Sequence, residues 1–332
     1  EQTGYWISGK FKQCQEVAMC ALPLYHIFAL TSSLSFMNWT SNIVLITNPR
    51  DLKGLVKEIK HWDFSVMTGV NTLFNALLHN EEFKNFHFTN LKLTVAGGAQ
   101  IQKSVAEAWK EATDCSILEA YGLTETSPGV CGILADAPWD GSVGYPLPST
   151  DVTIRGEGFA DLGRCDDMSR VEEFTGEICV KGPQVMLGYW NRPEETAGVF
   201  RDGWLRTGDL GTIDEDGFIY IKGRCKTMLL GPSGQNIYPE EIEAKINNMP
   251  YVLESLVLQK EDTRLVALVC PDFEAVDADK LTQEQLESVM EENRKLVNAE
   301  LAAYEQINIV KLYTHEFEKT PKKSIKRFLY EA

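Results

Sequence analysis

Apolar positions in the first 140 residues fall into two alternating textures. Short runs bounded by chain breakers recur: VAMCAL (17–22), stopped by Pro23, then IVLI (43–46), SVMTG (65–69), LKLTVAGG (91–98) and SILEAYG (116–122). Runs of this length read as buried strands. Between them apolar residues return at helical spacing: Leu52, Leu55, Val56 and Ile59; Leu73, Phe74, Leu77 and Leu78; Val105, Ala108 and Trp109. Asp51 and Asn71 stand where the first two of these helices would be capped. The alternation predicts an α/β unit whose parallel sheet is covered on both faces.

The texture then changes. Over residues 141–224, runs such as VTIR, GEICV and GFIYI are short, β-rich and separated by Gly, Pro and Asp, which predicts a small β-subdomain. Asp214-Glu215-Asp216-Gly217 is a hairpin signal. It resembles a calcium loop superficially, but the later ligands of that pattern are missing. From about Thr227 a mixed α and β unit follows, with SLVLQ and RLVALVC as a hairpin pair. Residues 283–301 form the clearest helix. Thr282 and Gln285 make a capping-box pattern, and Leu286, Val289, Met290, Leu296, Val297 and Leu301 make the expected buried stripe.

Composition narrows the class. A chain of 332 residues with 44% hydrophobic and 24% charged positions is globular and long enough for two domains. Lys plus Arg is 32 against 48 for Asp plus Glu, a formal net charge of -16. Such a surface argues against nucleic acid and anionic membrane as general partners, while leaving room for a local nucleotide pocket. The eight cysteines are scattered without a C-x-x-C pair, which predicts reduced thiols in a cytoplasmic protein rather than a zinc site or a disulfide framework. No basic and apolar signal run opens the chain, so export is not expected. Residues 17–49 carry no charge, and a membrane span needs ~20 apolar residues. Pro23, His26, Thr31, Ser32, Ser33 and Ser35 argue instead for a buried strand, a loop and a buried helix.

Four strings carry candidate chemistry. Gly97-Gly98-Ala99 ends a predicted parallel strand, where α/β sheets bind ligands, and its backbone can lie flat against a planar group. Tyr121-Gly122-Leu123-Thr124-Glu125 ends the next strand. Its Tyr can stack on a base, its Thr can donate to a phosphate oxygen, and its Glu is a hard ligand for Mg²⁺. Asp209, in Thr207-Gly208-Asp209, can hold both hydroxyls of a ribose, and Gly223-Arg224 offers a fork for ribose or phosphate oxygens. Each string also has a plain reading: a strand-to-helix turn, a capped turn with a solvated Glu, a Gly-Asp hairpin end, and a surface Arg in an ion pair.

Taken together and in order, PLYHIFALT, LITNPRDLKGLVKE, TGVNTLFNALL, YGLTET, GEICVKGPQVMLGYWNRP, DGWLRTGDLG, GFIYIKGR and NIYPEEIE resemble the adenylate-forming, AMP-binding superfamily. Within it they are most similar to long-chain fatty acyl-CoA ligases. The resemblance implies a partial large AMP-binding domain over residues 1–225 (α/β sheet 1–140, β-rich 141–225). A small mobile α+β lid domain over 226–332 would follow. It implies ATP, Mg²⁺ and coenzyme A as cofactors and a fatty acid as substrate. Peripheral contact with the inner membrane face for lipid uptake is a further expectation.

The implied roles follow residue by residue. Tyr121 and Gly97-Gly98-Ala99 would enclose adenine beside Gly122. Thr124 would touch the α-phosphate, Glu125 would ligate Mg²⁺, and Asp209 would hold the ribose with Arg224 nearby. Tyr25 and His26 would sit at the acyl carboxylate. The helix after Gly69, Val70 and Asn71 would line the acyl channel. Lys226 would be the hinge, and Gly234 would lie in the loop that enters for thioester formation.

Two departures accompany the resemblance. A Ser/Thr/Gly-rich phosphate loop ending in Lys lies shortly before PLYH in the family and has no counterpart here, so the chain looks like the later part of a longer enzyme with weak or no turnover. The family's tail reads Gly-Lys-Ile-x-Arg. Aligned on Ile325 and Arg327, its lysine falls on Ser324 here, and Lys323 is assigned the role instead. Two other readings stand beside the ligase: a ligase for another carboxylic acid, and a non-catalytic AMP- or acyl-adenylate-binding remnant. An amino-acid substrate is disfavoured, because TGVNTLF offers no acidic partner for an amino group.

Overall fold

The computed structural model describes residues 2–7, 9, 11–98, 100–133, 139–165, 175–320 and 325–332. The chain divides into two compact units, Glu1–Ile221 and Lys222–Ala332.

The first unit is built on a seven-stranded sheet of order β2-β1-β3-β4-β5-β6-β7. Its strands are β1 (Val17–Cys20), β2 (Asn42–Leu45), β3 (Val66–Gly69), β4 (Leu93–Gly97), β5 (Ile117–Gly122), β6 (Gly129–Gly132) and β7 (Tyr145–Pro146). Strands β1 to β5 pair in parallel, and β6 and β7 add antiparallel edges. After the short α1 (Gln2–Ile7), the helices of this layer are α2 (Ile27–Asn38), α3 (Leu52–His61), α4 (Asn71–Leu78), α5 (Glu81–Lys84) and α6 (Lys103–Thr113).

Strand periodicity sends neighbours to opposite faces. Met19, Met67, Ala96 and Ile117 join Leu55, Ile59, Phe74, Leu77 and Trp109 of α3, α4 and α6 in one core. Ala18, Val66, Val95 and Leu118 face the other way and pack with Phe36 of α2. Both faces being covered explains why these strands read as unbroken apolar runs. The uncharged stretch at 17–49 resolves into β1, a loop, the 12-residue α2 and β2. Among the described residues no helix is long and apolar enough to cross a membrane.

Asp51 caps α3 as expected, its Oδ1 accepting from the Gly54 amide at 3.0 Å. Asn71 does not cap α4: Val70 is the N-cap residue, without a side-chain bond, and Asn71 is the first helical residue. Its Oδ1 instead accepts from the Gln102 amide at 3.1 Å, because the chain leaving β4 lies beside it.

The small β-subdomain is a second sheet in which β11 (Phe200–Arg201), β12 (Trp204–Ile213), β10 (Gly176–Lys181), β8 (Asp151–Arg155) and β9 (Asp161–Arg164) lie side by side. Strand β13 (Ile219–Arg224) pairs with β12 across the Asp214–Gly217 hairpin, whose Asp214 Oδ1 accepts from Phe218 N at 2.8 Å. The helix α7 (Pro193–Val199) precedes β11.

The second unit holds a short β14 (Leu229–Leu230) and β15 (Asn236–Ile237) pair and a three-stranded sheet of β16 (Val252–Gln259), β17 (Leu265–Pro271) and β18 (Ile307–Leu312). Strands β16 and β17 form the expected antiparallel hairpin. The helices are α8 (Pro239–Ile246), α9 (Phe273–Ala278) and α10 (Gln283–Ala299). The Thr282–Gln285 capping box forms. One stripe residue is corrected: Leu296 is 55% exposed, and the inward face runs through Leu286, Met290, Asn293 and Val297. That i, i+4, i+7, i+11 spacing follows the helix period, and Leu296 falls one position off it. Asn293 satisfies its amide by donating to the Pro250 carbonyl at 3.0 Å.

Candidate active site

The carboxyl ends of β3, β4 and β5 lie side by side, so Gly69, Gly97 and Gly122 share one rim of the sheet. At Gly69 a methyl group would lie 2.6 Å from the ring of Phe74, so the strand end and α4 pack too closely for any side chain. Gly98 has φ +82°, the left-handed region that glycine enters without a steric penalty. Ala99 lies outside the described residues.

After β5 the chain makes a tight turn. Thr126, buried in it, accepts from the Leu123 amide at 3.0 Å and donates towards the Leu123 and Pro128 carbonyls. This holds Thr124 outward, exposed. Glu125 accepts from the Tyr189 hydroxyl through Oε1 at 2.9 Å, and its carbonyl receives the Met186 amide at 2.8 Å. Burial, and then Glu125 itself, push the Tyr189 phenol up to about 12, so it remains a donor. Glu125 is a hard oxygen ligand suited to Mg²⁺ that is otherwise coordinated by phosphates. Among the described residues there is no group of three or more His, Cys, Asp or Glu able to hold a metal by itself.

Asp209 arrives from the small sheet. Glu177 pairs with Leu210 but Cys179 with Arg206, so β12 carries extra residues at Thr207–Asp209. Gly208 takes φ +74° within this bulge, which re-aims the strand. The bulge is braced by Thr207 donating to the Ile178 carbonyl at 2.7 Å and by Gly208 N donating to Glu177 Oε1 at 3.1 Å. Asp209 is 4% exposed, and its Oδ2 accepts from the Tyr121 hydroxyl at 2.6 Å. Burial first and Asp209 second push the Tyr121 phenol well above its ordinary range, which keeps the proton on the phenol. Two strings 88 residues apart thus meet side chain to side chain.

In the loop after β1, Tyr25 is 74% exposed and His26 caps α2. Its Nδ1 accepts from the Phe28 amide at 3.3 Å. A neutral imidazole that accepts at Nδ1 carries its proton on Nε2, so His26 offers a donor there. A cavity of about 50 Å³ lies between α2 and the sheet, lined among others by Phe28, Ser32, Phe36, Thr68, Val95 and Ala120. Thr68 Oγ1 is buried there with no hydrogen-bond partner among the described residues.

The remaining positions belong to the second unit. Arg224 is exposed, and its carbonyl receives Thr227 N and Met228 N, each at 3.2 Å, in the turn that carries exposed Lys226. Gly234 is exposed at φ +82° in the β14–β15 turn. Lys323 and Ser324 lie outside the described residues.

Sequence reasoning missed Tyr189, Thr126 and Glu119. Glu119 alone left a signal: an acidic residue inside the apolar run SILEAYG.

Residues 2–190 match the family model for AMP-binding enzymes, and residues 227–332 match that for the AMP-binding enzyme C-terminal domain. A long-chain-fatty-acid–CoA ligase of Yersinia pestis is 50% identical over 248 residues, covering 74% of this chain and 42% of that protein. The protein of the same name from Bacillus subtilis (strain 168) is 34% identical over 253 residues, 76% of this chain and 44% of its own length. The chain therefore spans under half the length of these relatives. Among solved structures, ATP-bound MatB from Rhodopseudomonas palustris superposes with a TM-score of 0.75 at 27% identity, over 98% of this chain and 62% of that one. The O-succinylbenzoate coenzyme A synthetase (MenE) of Bacillus subtilis in complex with AMP gives 0.78 at 24% identity, over 100% and 64%, a likeness of fold. With both family models matched in order along a fold shared with these ligases, the chain belongs to the AMP-binding enzyme family.

Proposed function

We propose that this chain forms the adenylate site of an ATP-dependent ligase that activates a long-chain fatty acid and passes the acyl group to coenzyme A. The observation that carries the reading is the Tyr121–Asp209 hydrogen bond, which joins the end of β5 to the bulge of β12 where an AMP moiety would sit. The relatives' names supply the substrate class.

A fatty acid has a pKa near that of Glu, ~4.3, so at neutral pH it is already a carboxylate and needs no general base. Its attack on the α-phosphate gathers negative charge on oxygens, so catalysis rests on positioning and on donors aimed at that charge. Tyr121 with Gly97, Gly98 and Gly122 would bound the adenine. Asp209, held by the Tyr121 phenol, would accept from the ribose hydroxyls, since an ionised carboxylate is an acceptor only. Thr124, exposed in the turn, would offer its hydroxyl to the α-phosphate, and His26 would offer its Nε2 proton to the acyl carboxylate beside Tyr25. Glu125 would hold Mg²⁺, which when bound neutralises phosphate charge.

The apolar cavity beside α2 would receive part of the acyl chain, with Gly69 at the end of β3 and Val70 and Asn71 at the start of α4 beside it. Arg224, Lys226, Gly234 and Lys323 keep the roles the resemblance implies: ribose contact, hinge, thioester loop and adenylation. The domain assignment, 1–225 and 226–332, is proposed with them, as are a cytoplasmic location and peripheral membrane contact.

A second reading is an adenylate-binding chain without turnover. It is favoured by Ser324 at the family's lysine position, because a neutral hydroxyl cannot replace an ammonium beside developing phosphate charge.

Calorimetry with AMP and with a non-hydrolysable palmitoyl-adenylate analogue tests the site. The expected result is analogue binding stronger than AMP and lost in Asp209→Ala. No binding by the wild-type chain overturns the proposal, and pyrophosphate release over a panel of acids separates the two readings.

A further inference from the structure

We propose that Glu119, on β5, is a positioning residue that holds the exit of β4 in the shape that receives the adenylate. This assignment rests on the adenylate reading above and extends it to a residue outside the motif strings.

Glu119 is 3% exposed, in the middle of a parallel strand. Its Oε1 accepts from two donors, the Ile101 amide at 2.9 Å and the Trp139 indole Nε1 at 2.9 Å. Ile101 is 1% exposed, so without that oxygen its N–H would be buried unpaired, which carries a large penalty. The next amide, Gln102 N, is held by Asn71 Oδ1 at 3.1 Å. Gln102 is the N-cap of α6 and makes no side-chain cap of its own. The two residues just before α6, Ile101 and Gln102, are therefore secured from outside, by one acceptor on β5 and one on α4.

This arrangement fits a placement role. The Gly97–Gly98 step is the part of the rim that would face the adenine. Gly98 lacks a side chain and is exposed at positive φ, so its own contacts fix it poorly. Two acceptors, buried Glu119 and half-buried Asn71, hold the amides just downstream at Ile101 and Gln102. An apolar residue at 119 would pack as well in the strand but would leave the turn unanchored. Burial pushes the Glu119 carboxyl up to about 7, with Asp140 adding in the same direction against the two donors. The group therefore works as an acceptor with or without its proton.

The test compares Glu119→Met (E119M), which keeps the volume and removes the acceptor, with Glu119→Gln (E119Q), which keeps an acceptor oxygen. AMP affinity is measured by calorimetry on the full 332-residue chain, with thermal unfolding alongside. The expected result is a loss of tenfold or more in E119M and rescue to within about threefold of wild type in E119Q. Folded E119M that binds AMP like wild type overturns the assignment and leaves the adenylate site standing. So does E119Q as weak as E119M. A wild-type chain that does not bind AMP overturns the adenylate reading itself and the assignment with it. If E119M does not fold, amide exchange decides: AMP should slow exchange at Ile101 in the wild-type chain at least tenfold, and no change there overturns the assignment.

Discussion

The Tyr121 hydroxyl donates to Asp209 Oδ2 at 2.6 Å and so ties the end of the parallel sheet to the bulge of the small one. The bond fixes the carboxylate proposed to hold the ribose. Tyr121→Phe should therefore weaken AMP binding about ten- to hundredfold, the scale of one hydrogen bond to a charged group. Asp209→Ala should remove measurable binding. Calorimetric titration of both variants checks this. Tighter AMP binding by Tyr121→Phe would mean that the ribose displaces the phenol, contrary to this expectation.

Glu125 is oriented by Tyr189, 64 residues further on, through a 2.9 Å hydrogen bond. A cation at this carboxylate should feel the loss of that bond, whereas the adenine contacts should not. In Tyr189→Phe the Mg²⁺ concentration that half-saturates ATP binding should rise about threefold or more, with AMP affinity unchanged. Glu125→Gln should abolish the Mg²⁺ dependence. Titrating Mg²⁺ at fixed ATP separates these outcomes, and an unaltered Mg²⁺ midpoint in both variants would remove Glu125 from the metal role.

Glu119 also predicts a pH dependence of stability. Its ordinary value is 4.5 and the folded value is about 7, raised first by burial. The folded chain thus holds a proton that the unfolded chain releases between these values. The associated stability is complete below about pH 4.5 and is lost as pH rises through 7. A shift of this size is worth about 3 kcal/mol. Urea midpoints for wild type and E119Q at pH 5 to 8.5 isolate the contribution, since Gln does not titrate. The wild-type advantage should shrink by about 2–3 kcal/mol towards high pH, and a flat difference across that range would contradict the burial argument.

Much of this architecture was legible in the chain because it rests on local rules. Strands buried on both faces show as apolar runs, and Asp51 and Thr282 mark helix starts through their own geometry. What was not legible depends on partners distant in sequence. Asn71 looks like a cap, yet its acceptor is taken by Gln102, 31 residues away. The Thr207–Asp209 string looks like a turn, yet it is a bulge within a ten-residue strand, which only the register against β10 reveals. Leu296 is apolar and so suggests a place in the buried stripe, yet the helix period puts polar Asn293 there. Glu119 was the legible exception. A carboxyl inside a doubly covered strand has to find donors, and that requirement could have been stated before any coordinates.

The last prediction concerns Arg327, the residue on which the tail was aligned. Its Nη2 donates to Glu243 Oε2 at 2.5 Å, its Nη1 reaches the Val257 carbonyl at 3.2 Å, and Glu240 lies at 3.4 Å. The other oxygen of Glu243 accepts from Val257 N at 2.6 Å. The guanidinium thus pins the tail to α8 and β16 at once. Burial pushes the Glu243 carboxyl up, to about 8 with Arg327 pulling against it, so removing the arginine would drive it further towards its neutral form. Arg327→Met should destabilise the second unit by about 3 kcal/mol, the scale of breaking a buried pair at one end. Arg327→Lys should recover less than half, because an ammonium cannot serve the Glu243 and Val257 oxygens in one plane. If Arg327→Met is paired with Glu243→Gln, part of the loss should return, since Gln is neutral in the buried site without taking up a proton. Urea unfolding of the single and double variants measures the coupling. A coupling energy near zero would show that the two side chains are neighbours without being an energetic pair.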